Sequence, residues 1–196
     1  MTKKSLIDSL QRKGFSKDIL SAFSIVKRED FVLSDYRYLA YRDRPLPIGE
    51  NATISQPFTI AFMLDLLDLY DGMKILEIGS GCGYVLALLS EIAPNSIVLG
   101  VEINSDLAKK SKELLKEKTN IRILNTDGAR GYSAEAPYDR ILVSAAYASE
   151  PTHLYKQLHD TGVLVTPINN SIIKYKKVEG RIIKEKHFGF SFVPIL

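Results

Sequence analysis

The chain has one cysteine, Cys82, and three histidines in 196 residues. A single thiol excludes an internal disulfide and suggests a reducing compartment. His153, His159 and His187 form no ligand-spaced cluster, so no metal is expected, and His153 and His159 read as surface residues. No apolar run reaches the roughly 18 residues of a membrane span. The opening MTKKSLIDSL carries no apolar signal-peptide core, so a cytoplasmic protein is expected. Neither charge sign dominates: 26 Lys and Arg against 23 Asp and Glu give a formal +3. That balance suits anionic substrates but is too weak to argue for nucleic acid. There is no GxSxG elbow, no lysine-bearing phosphate loop and no Asn/Asp-Pro-Pro-aromatic signature of base methylation. Internal repeats, low-complexity stretches and domain linkers are also missing.

What is present is an ordinary globular composition, 45% apolar and 25% charged, in one domain's length of chain. The chain is organised around KILEIGSGCGY, Lys74 to Tyr84. Ile75, Leu76 and Ile78 predict a buried strand, Gly79, Gly81 and Gly83 a turn, and the residues from Tyr84 a helix ending before Pro94. Buried strands are expected at 97–102, 121–125, 139–146 and 162–168. Helices are expected at 57–69, 105–118 and 151–158, and two short ones within 5–27, the second capped by Ser16. The lysines of 105–118 read as a solvated face. The tail, SIIKYKKV, RIIKEKHFG and FSFVPIL, alternates with period two and reads as antiparallel strands. The fold class is therefore α/β. It is a doubly wound, mostly parallel, Rossmann-like sheet with helices on both faces, antiparallel C-terminal strands and a small helical N-terminal cover. One domain spans 1–196, and its first 56 residues supply the cover and a long loop.

In such sheets ligands lie beyond the carboxyl ends of the strands. Those ends carry Glu77, with Gly79, Ser80 and Gly81 after it, then Glu102, then Asp127 and Gly128. A carboxylate about 20 residues past a glycine turn is spaced to accept from ribose hydroxyls. Asp127 could accept from an adenine amino group. The GSGCG spacing departs from the dinucleotide fingerprint, and no basic residue answers phosphates. S-adenosylmethionine, a nucleoside with a sulfonium cation, fits three acidic strand ends. Plainer readings stand beside each: a tight turn at Gly81, a helix-flanking charge at Glu102, an Asp-Gly turn at Asp127. Cys82 reads as a small side chain that fits the turn.

The stretch KREDFVLSDYRYLAYRDRPLPIGENATISQP, rich in Tyr and Pro, predicts an irregular loop. It is either functional or a surface loop packed by its own aromatics. Ser55 and Gln56 fall just outside the next helix, where Pro57 suits the first position. Backbone donors there favour anions, but on their own Ser55 and Gln56 read as simple capping residues.

VKREDFV, YRDRPLPIG, ATISQP, LEIGSGCGY, TDGARGY, APYDRILVSAA and the final FVPIL together resemble the protein L-isoaspartate O-methyltransferase family over nearly the whole chain. The resemblance implies methyl transfer from S-adenosylmethionine to the α-carboxylate of L-isoaspartyl residues in damaged proteins and peptides. The product cofactor is S-adenosylhomocysteine, and the ester collapses to a succinimide. It implies an active-site serine at Ser55. Its cofactor contacts fall at Ile54, Ser55, Glu77, Gly79, Ser80, Gly81, Glu102, Asp127 and Gly128. Partners are isoaspartyl peptides, with no nucleic acid or membrane expected. A carboxylate is ionised at neutral pH, so attack on a sulfonium methyl needs no general base.

Three departures stand out. Phe58 follows the proline where the family often has His or Tyr, and Thr161-Gly162 replaces Gly-Gly. The sequence also ends at Leu196, where many members continue, so any cover from a further tail is expected to be missing or supplied otherwise. Two alternatives remain: a related methyltransferase acting on a small molecule or RNA, and a non-catalytic nucleoside-binding module. RPLPIG with ATISQP argues against the first, and the acidic strand ends against the second.

Overall fold

Strand β3 (Lys74–Ile78) lies inside a seven-stranded sheet, third from one edge, in the computed structural model, which describes residues 1–195. On one side are β4 (Ile97–Glu102) and β5 (Ile121–Asn125). On the other are β6 (Tyr138–Val143), β7 (Leu158–Ile168), β8 (Ser171–Val178) and β9 (Arg181–Phe188). The order is β5-β4-β3-β6-β7-β8-β9; β3 to β7 run parallel, and β8 and β9 antiparallel. The chain leaves β3 toward β4 and later returns to β6 on its other flank. The switch point, where such sheets open a crevice, is therefore between β3 and β6.

The apolar runs fill both sheet faces. Ile75, Val98, Leu142 and Val165 face one core, with α1 (Lys3–Arg12), α2 (Lys17–Ile25), α3 (Pro57–Leu67), α4 (Tyr84–Ile92) and α5 (Ser105–Leu114). Leu76, Leu99, Ile141 and Leu164 face the other. There the connections are short, and the expected helix at 151–158 is a 3₁₀ segment, Thr152–Gln157, that contributes Leu154. Ser16 caps α2 as its position predicts, accepting from the Ile19 N–H. Helix α3 stops at Leu67 rather than Leu69 because Asp68 is left-handed, with its carbonyl held by the buried Arg140 guanidinium at 2.8 Å. Helix α5 stops at Leu114, four residues early, where 115–118 tightens into a turn leading to β5.

Two segments differ in kind from their sequence reading. The loop before Ser55 contains 3₁₀ turns at Arg28–Asp30 and Ser34–Leu39 and then a hairpin, β1 (Leu46–Gly49) with β2 (Ala52–Ile54). Its two-residue connection, Glu50 and Asn51, has positive φ at both positions, the geometry that matches strand twist in tight hairpins. Glu50 is an unusual residue for that role. The tail pairs antiparallel only through β9. Residues 190–195 are not a strand of that ladder. They cross the end of the sheet as a strap, where Ala146 donates to the Val193 carbonyl at 2.8 Å and accepts from the Ile195 N–H at 2.9 Å. Leu196, the last residue of the FVPIL reading, lies outside the described residues.

Candidate active site

The glycine turn after β3 is tied down by its neighbour strand. The N–H groups of Gly79 and Ser80 both donate to the Val101 carbonyl, at 2.9 and 3.1 Å. Gly81 has φ +53, and a Cβ there would lie 3.3 Å from the Ile48 side chain of the hairpin. The turn thus packs closely under the front loop, and its left-handed backbone at Gly81 strains any other residue. Glu102 closes it from β4. One carboxylate oxygen accepts from the Gly81 N–H at 2.7 Å and the other from the Asn104 N–H at 2.9 Å. These charge-assisted bonds fix the carboxylate and leave each oxygen further lone pairs toward the cleft.

Glu77, at the end of β3, is 1% exposed. The Ser144 hydroxyl, just past β6, donates to its Oε1 at 2.6 Å, while Oε2 has no partner. Burial pushes this carboxyl up to about 8, the Ser144 bond opposes the shift, and the nearby Glu102 charge adds to it. Cys82, half-buried in the same turn, has its thiol pushed up to about 12, chiefly by burial, which disfavours the reactive thiolate.

Asp127 is exposed at the end of β5 and accepts from the Ala129 N–H at 2.8 Å, the Asp turn the spacing allowed. Gly128 is required for a different reason: a Cβ there would come within 2.5 Å of Val101. This loop is clamped from outside. The Tyr147 hydroxyl donates to the Ala129 carbonyl at 2.7 Å, and His153 Nε2 lies 3.0 Å from the same oxygen. Gln157 donates to the Arg130 carbonyl and accepts from the Tyr132 N–H. His153 is exposed, as expected, yet it braces the loop after β5.

Ser55 is set by residues that its own motif does not contain. Gln56 occupies the cap position of α3 without a side-chain bond; the capping acceptor is Asp43, whose Oδ1 takes the Phe58 N–H at 2.8 Å. Capping therefore does not explain Ser55 or Gln56. Behind them lies Arg28, fully buried, whose guanidinium donates to the carbonyls of Ala40 at 2.6 Å, Arg42 at 3.4 Å, Arg44 at 3.3 Å and Ser55 at 2.9 Å. Burial lowers its pKa, and among the described residues no carboxylate pairs with it.

Three clefts meet here. One, lined by Glu102, Asp127, Gly128 and the strap residues Val193 to Ile195, runs along the strand ends. A second lies over the glycine turn and includes Ile54, Ser55, Glu77, Gly79, Ser80 and Gly81. A third is walled by Ser55, Gln56, Phe58, Phe190 and Phe192. Thr53 and Ser144 border all three. The site residues named from the sequence therefore gather around one junction. Arg28, Asp43, Ser144 and Tyr147 carry no such signal in the sequence: Ser144 falls inside the expected strand 139–146, and only the end of β6 at Val143 places it at the strand's carboxyl end.

No titratable side chain lines the third cleft among the described residues; its polar groups are hydroxyls, the Gln56 amide and backbone. Such a wall can hold an anion but not deprotonate a nucleophile. The turn fits a nucleoside with a cationic amino-acid end. Backbone approaches closely at Gly81, Glu102 and Asp127 offer acceptors, and Glu77 Oε2 and Ser80 Oγ are buried with no partner.

The family model for protein-L-isoaspartate(D-aspartate) O-methyltransferase matches residues 1–196. A relative from Methanothrix thermoacetophila named protein-L-isoaspartate O-methyltransferase is 40% identical over 203 aligned positions, covering 100% of this chain and 95% of its own. A solved structure of the same name superposes with TM-score 0.89 at 27% identity, over 98% of this chain and 65% of that one. A Plasmodium falciparum structure described as this methyltransferase, in complex with S-adenosyl-L-homocysteine, superposes with TM-score 0.86 at 26% identity over 100% and 99% of the two chains.

Proposed function

The chain belongs to the protein-L-isoaspartate(D-aspartate) O-methyltransferase family, and from that premise we propose how its residues divide the work. The protein is an S-adenosylmethionine-dependent enzyme that methylates the α-carboxylate of L-isoaspartyl residues in damaged proteins and peptides. Ser55 holds the acceptor carboxylate. Glu77, the Gly79–Ser80–Gly81 turn, Ile54, Glu102, Asp127 and Gly128 hold the cofactor. The observation that carries this division is the junction itself: the hydroxyl-lined cleft at Ser55 opens beside Ser144 and Thr53 onto the cleft of acidic strand ends.

When bound, S-adenosylmethionine supplies the electrophilic methyl group. The chain's part is alignment and exclusion of water. The Ser55 hydroxyl donates to the acceptor carboxylate without neutralising it, and the N-terminal end of α3 adds a favourable potential for an anion. Glu102 accepts from the ribose and Asp127 from the adenine. The strap and the front hairpin both border the strand-end cleft, so within the single domain the first 56 residues supply N-terminal helices and a loop that covers substrate and cofactor. The uncharged wall of the Ser55 cleft suits an acceptor that is already ionised.

Among the described residues no helix is long and apolar enough to cross a membrane. A cytoplasmic setting is part of the proposal, supported by the single free thiol.

Product analysis tests the reading. An isoaspartyl peptide incubated with enzyme and S-adenosylmethionine should form a base-labile ester that passes through succinimide and accumulates the aspartyl form over repeated cycles. A stable methylated peptide, or methylation of a side-chain amine, would contradict it.

A further inference from the structure

Glu77 lacks a counter-charge. From β4 it faces the Glu102 carboxylate, which repels it. From the glycine turn it faces the Cys82 thiol, and from α4 the Tyr84 phenol lines the same cleft; burial raises the pKa of both, so both are neutral. The front loop presents Thr53 and Ser55, which do not titrate. Arg28, the buried cation behind that loop, directs its terminal N–H groups to carbonyls. No ion pair among the described residues includes Glu77. A buried carboxyl in that setting holds its proton rather than a charge. Its one protein donor is Ser144, and its second oxygen, shielded from solvent, has none.

We propose that Glu77 and Ser144 together receive the α-ammonium of the cofactor, and that seating this group expels the Glu77 proton to solvent. The inference rests on the functional reading above and adds proton exchange to it. The Glu77 O–H bond breaks, the proton passes to a buffer base, and the carboxylate oxygen accepts an ammonium N–H; no bond within the cofactor changes. The ammonium is the better match than the sulfonium because the unpartnered oxygen needs a hydrogen-bond donor, and a sulfonium has no N–H. Ser144 is the positioning residue: its bond fixes the carboxyl plane and favours the ionised form.

Titration calorimetry in buffers of different ionisation enthalpy counts the protons released. At about pH 6.5, below the range where a ligand amine titrates, S-adenosylmethionine and S-adenosylhomocysteine should each release close to one proton. Glu77→Gln should bind with no release. In the wild-type protein the cofactor affinity should tighten by up to about tenfold per pH unit between about pH 5.5 and 7. This reading needs no variant. Ser144→Ala should move the midpoint of that dependence upward. Binding without proton release and without pH dependence overturns the inference while leaving the functional reading intact. Release with S-adenosylmethionine alone overturns the ammonium assignment in favour of the sulfonium. Absence of S-adenosylmethionine binding overturns the functional reading and this inference with it.

Discussion

Arg28 Nη2 lies 2.9 Å from the carbonyl oxygen of Ser55, a residue 27 positions further along the chain. The same guanidinium reaches the carbonyls of Ala40, Arg42 and Arg44. One buried fork therefore gathers the front loop and sets the backbone of the residue proposed to hold the acceptor. A lysine keeps the charge but not the fork, and it would leave some of these carbonyls without a donor.

Arg28→Lys should lower stability by about 2–4 kcal/mol, the scale for stranding buried hydrogen-bonding groups. It should also raise KM for an isoaspartyl peptide several-fold, with the cofactor Kd changed by less than about twofold because the glycine turn is untouched. Chemical denaturation and steady-state kinetics check both. A cofactor Kd that rises in step with the peptide KM would show a general collapse rather than positioning.

Ser55→Ala removes the hydroxyl but leaves the backbone that Arg28 holds. Methyl transfer should fall by about tenfold or more, the scale of one charge-assisted hydrogen bond, with cofactor affinity nearly unchanged. Rates at saturating cofactor, compared with Kd from calorimetry, separate the two. Matched losses would make Ser55 a structural residue only.

Glu102→Ala deletes the acceptor of the Gly81 and Asn104 N–H groups, at 2.7 and 2.9 Å. Cofactor binding should weaken by about 1–3 kcal/mol, combining the lost ribose contact with a loosened turn. Glu102→Gln keeps an acceptor and should lose less. Equal, wild-type affinity in both variants would reject the ribose role.

Stability should depend on pH through Glu77. Its folded value, about 8, is raised above the ordinary 4.5. Between those values the native state holds a proton that the unfolded chain has lost, so this group's contribution to stability falls as pH rises. The slope is up to about 1.4 kcal/mol per pH unit. Glu77→Gln should flatten the fall measured by denaturant unfolding across that window. An unchanged slope in the variant would assign the dependence to other groups.

The sheet and glycine turn were legible because their residues carry local signals: apolar runs of strand length, glycines at turns, and acids at or just past the strand ends. Ile75, Gly81, Glu102 and Gly128 each occupy the element that their neighbours in sequence predict. The front of the site was legible only through its likeness to a family, since Ser55 by itself reads as a cap. What organises that front is nonlocal. Arg28 stands in the charged run KRED at the start of the irregular loop, and only the three-dimensional path of that loop makes it the most deeply buried cation of the region. Asp43 caps a helix that begins 14 residues later. The hairpin has no local turn signal because Glu50 is a poor turn residue, yet Glu50 and Asn51 both take positive φ where β1 pairs with β2. The strap over 190–195 has the alternation of a strand, but it bonds to Ala146 beyond β6 rather than to β9.

The central claim is selective methylation of an isoaspartyl carboxylate, and a paired assay tests it most directly. Two peptides identical except for an isoaspartyl or an aspartyl linkage are incubated with enzyme and methyl-labelled S-adenosylmethionine. The account predicts base-labile label on the isoaspartyl peptide and at most a trace on its twin. Equal labelling of both, or of neither, would contradict it.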